Sequence, residues 1–573
     1  FAIILIGNLG TVRQIWQGIM RLAPGVDLST GSFIDRLRWT FQGMVQFIGG
    51  ATLPYGRGDW YWIPSRVYPN EPITEFPLFT FLYADLHAHL ISLSITLLVI
   101  VCCIAFLKGR LQTEMPGKVI RWLQYGMALF ITALALGALK PTNTWDMPTY
   151  MIFAGMVLLY GALRYLKIPN SFLKSYAPWL KRVGIAVLML GALLGLSFLL
   201  YLPFSRHFGA GYTAFDLWKG EHSPFWSYFT HWGLFLVVIF TWLYWETHQW
   251  LANTPATALK KFLPYRDLLW LGAAVVIIVV IVLLAIGIQI AWLVIPMILW
   301  TGILILRPGI SDNKRLVLFM ILTGLRLTLA VELVVLRGDI GRMNSVFKFY
   351  YQAWTMLSLS AAASFTWLIP EINNRWKEGW RITWQLGMAC LVASAFLFTM
   401  LATTDKITDR ISDHIPASLD GMTYMQVSTY NDMGNDLDLS TDYRAIQWMQ
   451  DNVKGSPVIV EANTTEYRWG SRFTIYTGLP GVVGWNWHQR QQRAVTPQEW
   501  VTDRVAAIND FYMTEDRQLT TQFLQRYNVK YIIVGKLERS LYPALSLAKF
   551  ELWNNDLWQD VYRDGDTVIY QVK

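Results

Sequence analysis

The chain has 573 residues, of which 54% are hydrophobic and 15% charged, with three cysteines and a formal net charge of +9. A mean hydropathy of +0.33 excludes an ordinary soluble enzyme and describes a polytopic membrane protein carrying one soluble domain. The surplus of bases lies mostly in short loops between apolar runs, where membrane topology accounts for it, so nucleic acid is not expected as a partner.

The opening residues Phe1–Asn8 read as the last turns of a helix, and with no Met and no signal peptide the sequence reads as N-terminally truncated. From about Gly10 to His89 runs a long segment rich in Trp, Tyr and Pro, with helical patches at Val12–Leu22 and Phe33–Phe47. It is expected on the outer surface, because aromatic side chains favour the membrane–water boundary. Ten apolar runs then read as spanning helices. They are Leu90–Leu107, Trp122–Leu139, Met147–Leu163, Val183–Phe204, Phe225–Trp245, Leu268–Ile288, Ile290–Leu306, Leu316–Leu336, Phe349–Ile369 and Ile382–Leu401. Most approach the ~20 residues that cross a hydrocarbon core of ~30 Å. The stretch Leu268–Leu306 is divided at Gly287–Gln289, since one helix of that length would overshoot the bilayer.

Alternate loops carry the bases. One set comprises Lys108, Arg110, Lys118, Arg121; Arg164, Lys167, Lys174, Lys181, Arg182; Lys260, Lys261, Arg266; Arg307, Lys314, Arg315; and Arg375, Lys377, Arg381. These 18 face six in the opposite short loops: Lys140, Arg206, Lys219, Arg337, Arg342 and Lys348. The positive-inside rule makes the first set cytoplasmic, which exports the other loops and the whole tail from about Ala402. Cys102, Cys103 and Cys390 all lie inside predicted spans, so no disulfide staples the tail.

In the tail, Thr441–Asn452, Pro497–Tyr512 and Asp516–Tyr527 read as helices, and Val458–Glu461 and Val529–Val534 as strands. This alternation predicts a compact α/β domain. The expected division is 1–89 for the helix end and outer segment, 90–402 for the membrane helices, and 403–573 for the extracytoplasmic domain.

The densest polar motif is Glu75–His89, with Asp85, His87 and His89 just before the first complete span. If residues 82–89 already belong to the helix, Asp85 and His89 share a face. Asp-x-His-x-His offers a carboxylate and two imidazoles to a divalent ion, or a base with an orienting partner. It also reads as an interfacial helix start with histidines among headgroups. Upstream, Asp59, Trp60 and Arg66 stand among aromatics, which suits a sugar or phosphate site and equally an interfacial belt. The segment Arg337–Tyr351 places Arg337, Arg342 and Lys348 on the side that should be poor in bases, with Tyr350 beside them. Anion binding, most simply of phosphate, gives a reason; a salt bridge to Asp339 explains at most one of the three. Asn143 and Asp146 sit in the short outer loop Lys140–Asp146, as ligand contacts or as a capped turn. Arg326 lies midway along a span and Glu332 six residues on, lining a path or closing structural pairs. The stretch Glu466–Arg493, which includes His488, is Gly-rich, aromatic and basic, poor material for a core. No nucleotide-binding loop and no Gly-x-Ser-x-Gly elbow occurs.

The motifs Glu75–His89 (EFPLFTFLYADLHAH), Lys140–Asp146 (KPTNTWD), Arg342–Trp354 (RMNSVFKFYYQAW) and Thr474–Arg493 resemble the uncharacterised YYY membrane protein family of bacteria and archaea. Members of that family carry an N-terminal half with more helices, which fits the abrupt Phe1. The architecture is similar, more distantly, to the C-type (GT-C) membrane glycosyltransferases, and Phe523–Gly535 (FLQRYNVKYIIVG) resembles the end of their soluble domains. That resemblance implies transfer of a sugar from a polyprenyl-phosphate donor to an acceptor at the outer face, which also explains the lack of a nucleotide site. In C-type enzymes the catalytic acid follows the first span, which this chain lacks. Asp85 is therefore the expected base or metal ligand, helped by Glu75, His87 and His89. Asp59 is the reserve, unless the base lies in the missing segment.

The leading expectation is a multi-pass glycosyltransferase of the cell membrane with GT-C-like architecture, with a divalent ion as the candidate cofactor and membrane lipids as partners. Arg337, Arg342 and Lys348 would hold phosphate. Arg66, Trp60, Asn143, Asp146, Tyr350 and His488 would line the substrate. A transporter or flippase, and a non-catalytic subunit held by a protein partner, are the alternatives.

Overall fold

A computed structural model describes residues 1–69, 72–109, 118–166, 176–208, 214–337, 341–411, 414–432, 434–493 and 496–573. The chain divides into two compact units, one holding Phe1–Phe208 and Ala214–Asp409 and the other Arg410–Lys573. Residues 1–89 belong to the first unit together with the long helices.

Among the described residues of the first unit, seven helices are long and apolar enough to cross a membrane. They are Ala88–Lys108, Asp146–Tyr165, Pro178–Leu200, Phe225–Ala252, Leu263–Ala285, Asp312–Leu333 and Glu378–Arg410. Gly126–Thr142 and Ala291–Leu306 are apolar but shorter. The expected span Phe349–Ile369 lies within Gly341–Arg375, a 35-residue helix. It packs on Asp312–Leu333 and Phe225–Ala252, burying Tyr350, Trp354 and Leu357 completely. The long apolar stretch does break where expected: Gly287 takes a left-handed φ of 94° between Arg266–Ala285 and Ala291–Leu306, a conformation that glycine reaches at little cost.

Two predicted spans end early. Val183–Phe204 becomes Pro178–Leu200 followed by a separate Leu202–His207 turn, because Pro203 has no N–H and crowds the carbonyl four residues back. Leu316–Leu336 becomes Asp312–Leu333, and Val334–Leu336 leaves the helix to pair antiparallel with Phe215–Leu217. An apolar run with β-branched residues at its end carries no mark separating helix from strand.

The helix Phe33–Ile48 opens with a capping box in which Ser32 and Asp35 bond each other's backbone N–H. It lies so close to the Gly10–Arg21 helix that a Cβ on Gly43 would meet the carbonyl oxygen of Ile19 at 1.8 Å. Its opposite side exposes Phe33, Leu37, Phe41, Val45 and Ile48, spaced at helical intervals.

The second unit is built on a four-stranded sheet in the order Val458–Val460, Val529–Val534, Thr567–Val572, Trp558–Asp564. The first pair is parallel and the others antiparallel. Ile459, Ile532, Ile533, Ile569 and Trp558 are fully buried in its core. The helices Ser440–Asn452, Glu499–Met513 and Arg517–Arg526 fall where the apolar periodicity puts them, the last capped by the Asp516 side chain. The expectation that Glu466–Arg493 is unsuited to a core is corrected here: Phe473 is fully buried and Trp469, Val482 and Val483 nearly so. Within it Arg472 has no exposed side chain and meets Asp442 at 2.5 Å, Glu538 at 2.9 Å and Glu461 at 3.6 Å. Those carboxylates hold its guanidinium well above the usual arginine range against the pull of burial. A charge so compensated can sit in a core that its sequence neighbours alone would not suggest.

Candidate functional site

The approach to the first complete span is not one continuous helix. Pro77–Tyr83 begins with Pro in its first turn, where the missing N–H does no harm, and ends at Ala84 in a left-handed conformation (φ 54°). A new helix starts at Ala88. Asp85 and His87 stand in the non-helical link, so the expected one-turn partnership of Asp85 with His89 fails and His87 takes its place. Nδ1 of His87 donates to Oδ2 of Asp85 in a pair whose side chains are 53% and 41% exposed. The imidazole pulls the Asp85 carboxyl below its usual range, and the carboxylate pushes His87 above its ordinary 6.5.

Behind this pair, Arg66 binds Glu75 at 2.9 Å with both side chains largely buried. The guanidinium also lies 4.4 Å from the centre of the Trp62 ring. Burial raises the Glu75 carboxyl despite Arg66, and its charge reaches His87. His89, one residue into the helix, is buried edge-on against Phe347 at 4.2 Å and Tyr351 at 4.4 Å.

One turn further in, Ser92 donates to the buried Asp146 at 2.6 Å. Asn143 and Gln352 flank the same carboxylate, and Gln352 Nε2 donates to the Trp145 carbonyl at 3.0 Å. Residues scattered from 66 to 352 thus meet at one end of the helical unit. Arg66, Glu75, Asp85, His87, His89, Asn143 and Asp146 were expected from sequence. Ser92, Tyr351 and Gln352 were not singled out, although a polar side chain inside an apolar helix is the signal that could have found Ser92 and Gln352.

Other expected residues are placed differently. Asp59 closes the first turn of Arg57–Trp62, its carboxylate accepting from the Gly56 N–H. Trp60 packs edge-on against Tyr55. Tyr350 is buried between His231 and Trp232 and bonds the Tyr68 hydroxyl at 3.1 Å. His488 belongs to the second unit, where it meets the Tyr467 hydroxyl at 2.9 Å. Arg342 does not lie in a loop: it is buried on its helix, donating to Glu332, to Ser223 at 2.7 Å and to the Val331 carbonyl at 3.1 Å. Beside it opens a cavity of about 330 Å³, walled by Trp218, His222, Arg342 and Met343 among others. Arg337 is exposed and grips Asp216 with two nitrogens. Of the three bases expected to hold phosphate, two therefore answer carboxylates, and neither is Asp339, which lies outside the described residues. Lys348 stands one turn before Tyr351 and Gln352 on the same helix face. Glu332 is closed by Arg342, whereas Arg326 is exposed.

Among the described residues, no group of three or more His, Cys, Asp or Glu side chains is placed to hold a metal ion. The expected Asp85, His87 and His89 set does not fit one, because Asp85 and His87 engage each other while His89 is enclosed by aromatic rings.

The opposite end of the same helices is basic. Glu246, about 30 Å along its helix from Ser227 at 1.5 Å per residue, accepts from Arg307 and Lys314. Asp312 accepts from Tyr160 and Tyr165, and Arg315 reaches Tyr160. Arg307, Lys314 and Arg315 belong to the set that the positive-inside rule puts in the cytoplasm.

Residues 1–357 match a family described as uncharacterized membrane protein (DUF2298). No curated protein matches the chain.

Proposed function

We propose, for a chain that belongs to the DUF2298 family of uncharacterized membrane proteins, that it is a cell-membrane glycosyltransferase using a polyprenyl-phosphate sugar donor. The observation that carries this reading is the half-exposed Asp85–His87 pair beside the Arg66–Glu75 pair at the base-poor end of the helices. The C-terminal unit is then extracytoplasmic, and the architecture is that of a C-type enzyme.

In this reading Asp85 accepts the Nδ1 proton of neutral His87 and fixes its ring, leaving Nε2 to take a proton from the acceptor hydroxyl. The freed oxygen attacks the anomeric carbon as the bond from that carbon to the phosphate oxygen breaks. The electron pair leaves with the polyprenyl phosphate. Lys348, and Arg66 if it exchanges one contact with Glu75, supply positive charge for that leaving group.

The test is transfer from polyprenyl-phosphate sugars by the full chain in lipid nanodiscs. Asp85→Asn should slow transfer ~10²–10⁴-fold, the usual range for a lost general base or its orienting partner. Near-normal transfer by that variant would remove the pair from the chemistry, and absence of transfer from every such donor would remove the reading.

A further inference from the structure

The second unit gathers four arginines where its helices Asn486–Gln492, Glu499–Met513 and Arg517–Arg526 pack in succession. The guanidiniums of Arg493 and Arg504 lie 5.2 Å and 4.1 Å from the centre of the Trp500 ring. Their charges therefore stand within one Debye length of each other, ~10 Å at 0.1 M salt. The centre of the Tyr527 ring lies 5.2 Å from Arg504 and 5.3 Å from Arg526. Arg490 joins them through Thr502, to whose hydroxyl it donates at 3.2 Å.

Elsewhere in this unit arginines answer acids. Arg444 meets Asp564, Arg468 meets Asp432, Arg517 meets Asp556, Arg563 meets Glu551, and Arg472 meets three carboxylates. Among the described residues none of the four does so, although Glu499 and Asp503 lie on the same helix as Arg504. Neutral oxygens hold two of them instead: Arg504 donates to the Val482 carbonyl at 2.7 Å and Arg493 to the Gln489 side chain at 2.9 Å. Partial burial draws Arg504 below the usual arginine range, and repulsion from Arg493 and Arg526 draws it further. A solvated basic face would let such long side chains spread apart. Here like charges are bonded in place with no acid between them, which focuses a positive potential on one spot.

We propose that this cluster binds a phosphate-type anion. A carboxylate offers two oxygens and a single charge, enough for one guanidinium fork. Phosphate and diphosphate groups carry more charge and enough oxygens to engage several forks at once, and four are gathered here. Trp500 and Tyr527 steady the planar guanidiniums by cation–π contact, so less side-chain freedom is lost when the anion arrives. The same group can come on a lipid headgroup or free in solution. The site is independent of the transfer reaction proposed for the first unit.

The experiment titrates inorganic diphosphate into the full chain in phosphatidylcholine nanodiscs and reads the heat of binding. The wild type should bind, and more weakly as salt rises. Arg493 and Arg526 are exposed, so replacing them leaves the core alone. Arg493→Gln and Arg526→Gln should each lower the affinity about tenfold, the scale of a lost charge-assisted hydrogen bond. Arg493→Lys should recover only part of it, because the fork is gone. Arg563→Gln removes the same charge where Glu551 and Asp560 already answer it, and should leave the affinity unchanged. Without diphosphate, Arg493→Gln should keep or raise the thermal unfolding midpoint, since it relieves repulsion. A lowered midpoint with unchanged affinity would return the cluster to a structural role. No binding by the wild type overturns the proposal, as does binding that both Gln variants retain or that Arg563→Gln weakens equally. Adding phosphatidic acid to the nanodiscs assigns the source. A loss of diphosphate affinity in the wild type that Arg526→Gln does not share places a lipid headgroup in the site, and equal behaviour of the two means that the site takes its phosphate from solution.

Discussion

Arg342 and Glu332, ten residues apart and on different helices, form an ion pair with side chains 6% and 0% exposed. A guanidinium read from sequence as a waiting phosphate ligand instead neutralises a carboxylate inside the helical unit. Ser223 completes the set by donating its N–H to Glu332 and receiving a hydrogen bond from Arg342.

Arg342→Ala should therefore act on stability before it acts on any lipid. Removing one member of a buried pair strands the other, at a cost of about 3–5 kcal/mol. Replacing both, as Arg342→Met with Glu332→Leu, should recover most of that loss in thermal unfolding of the purified protein. Full stability of Arg342→Ala alone would free the side chain for the phosphate role.

The Asp85–His87 pair predicts a direction with pH. His87 is raised above 6.5 by Asp85, and Asp85 is lowered below 3.8 by His87. Stability from the pair is full between those ordinary values. It fades as pH rises through the raised His87 value, and again as pH falls through the lowered Asp85 value. A base at Nε2 works only after His87 loses its proton, so the acid limb of kcat/KM should lie above pH 6.5. Asp85→Asn should move that limb toward lower pH along with slowing the reaction. A limb that stays in place would assign the titration to another group.

Topology is open to a direct check. A reporter fused after Lys573 should behave as exported, and one inserted near Arg307–Lys314, where Glu246 gathers the bases, as cytoplasmic. The reverse pattern would put the Asp85 end on the wrong face for an outer-leaflet donor.

The exposed stripe on Phe33–Ile48 should lie in the membrane interface, with Arg36 and Arg38 on its aqueous side. Single cysteines at Phe41 and Arg38 in intact vesicles separate the possibilities. A water-soluble maleimide should modify the second and spare the first, and equal labelling would mean that no lipid covers the stripe.

In the second unit, Arg472→Met leaves Asp442, Glu461 and Glu538 without their shared cation. The loss should be about 3–5 kcal/mol, as for other broken buried pairs. Hydrogen exchange in the full chain should show early opening of Val458–Val460 and Val529–Val534, the strands that lead into Glu461 and Glu538.

The sequence by itself determined where the long helices lie, the break at Gly287, three helices and two strands of the second unit, and which loops are basic. Each follows from a local quantity: apolar length, periodicity, a residue tolerant of left-handed φ, or charge per loop. Three-dimensional packing decided the rest. Whether Val334–Leu336 continues a helix depends on Phe215–Leu217, more than a hundred residues away, offering a strand to pair with. The Ala84 turn gave Asp85 to His87 rather than His89, and only the folded chain shows that Arg342 answers Glu332 while Asp146 gathers Ser92, Asn143 and Gln352. Partners of a buried charge are chosen by proximity in space and by the penalty for leaving a polar group alone, neither of which is written in the spacing of residues along the chain.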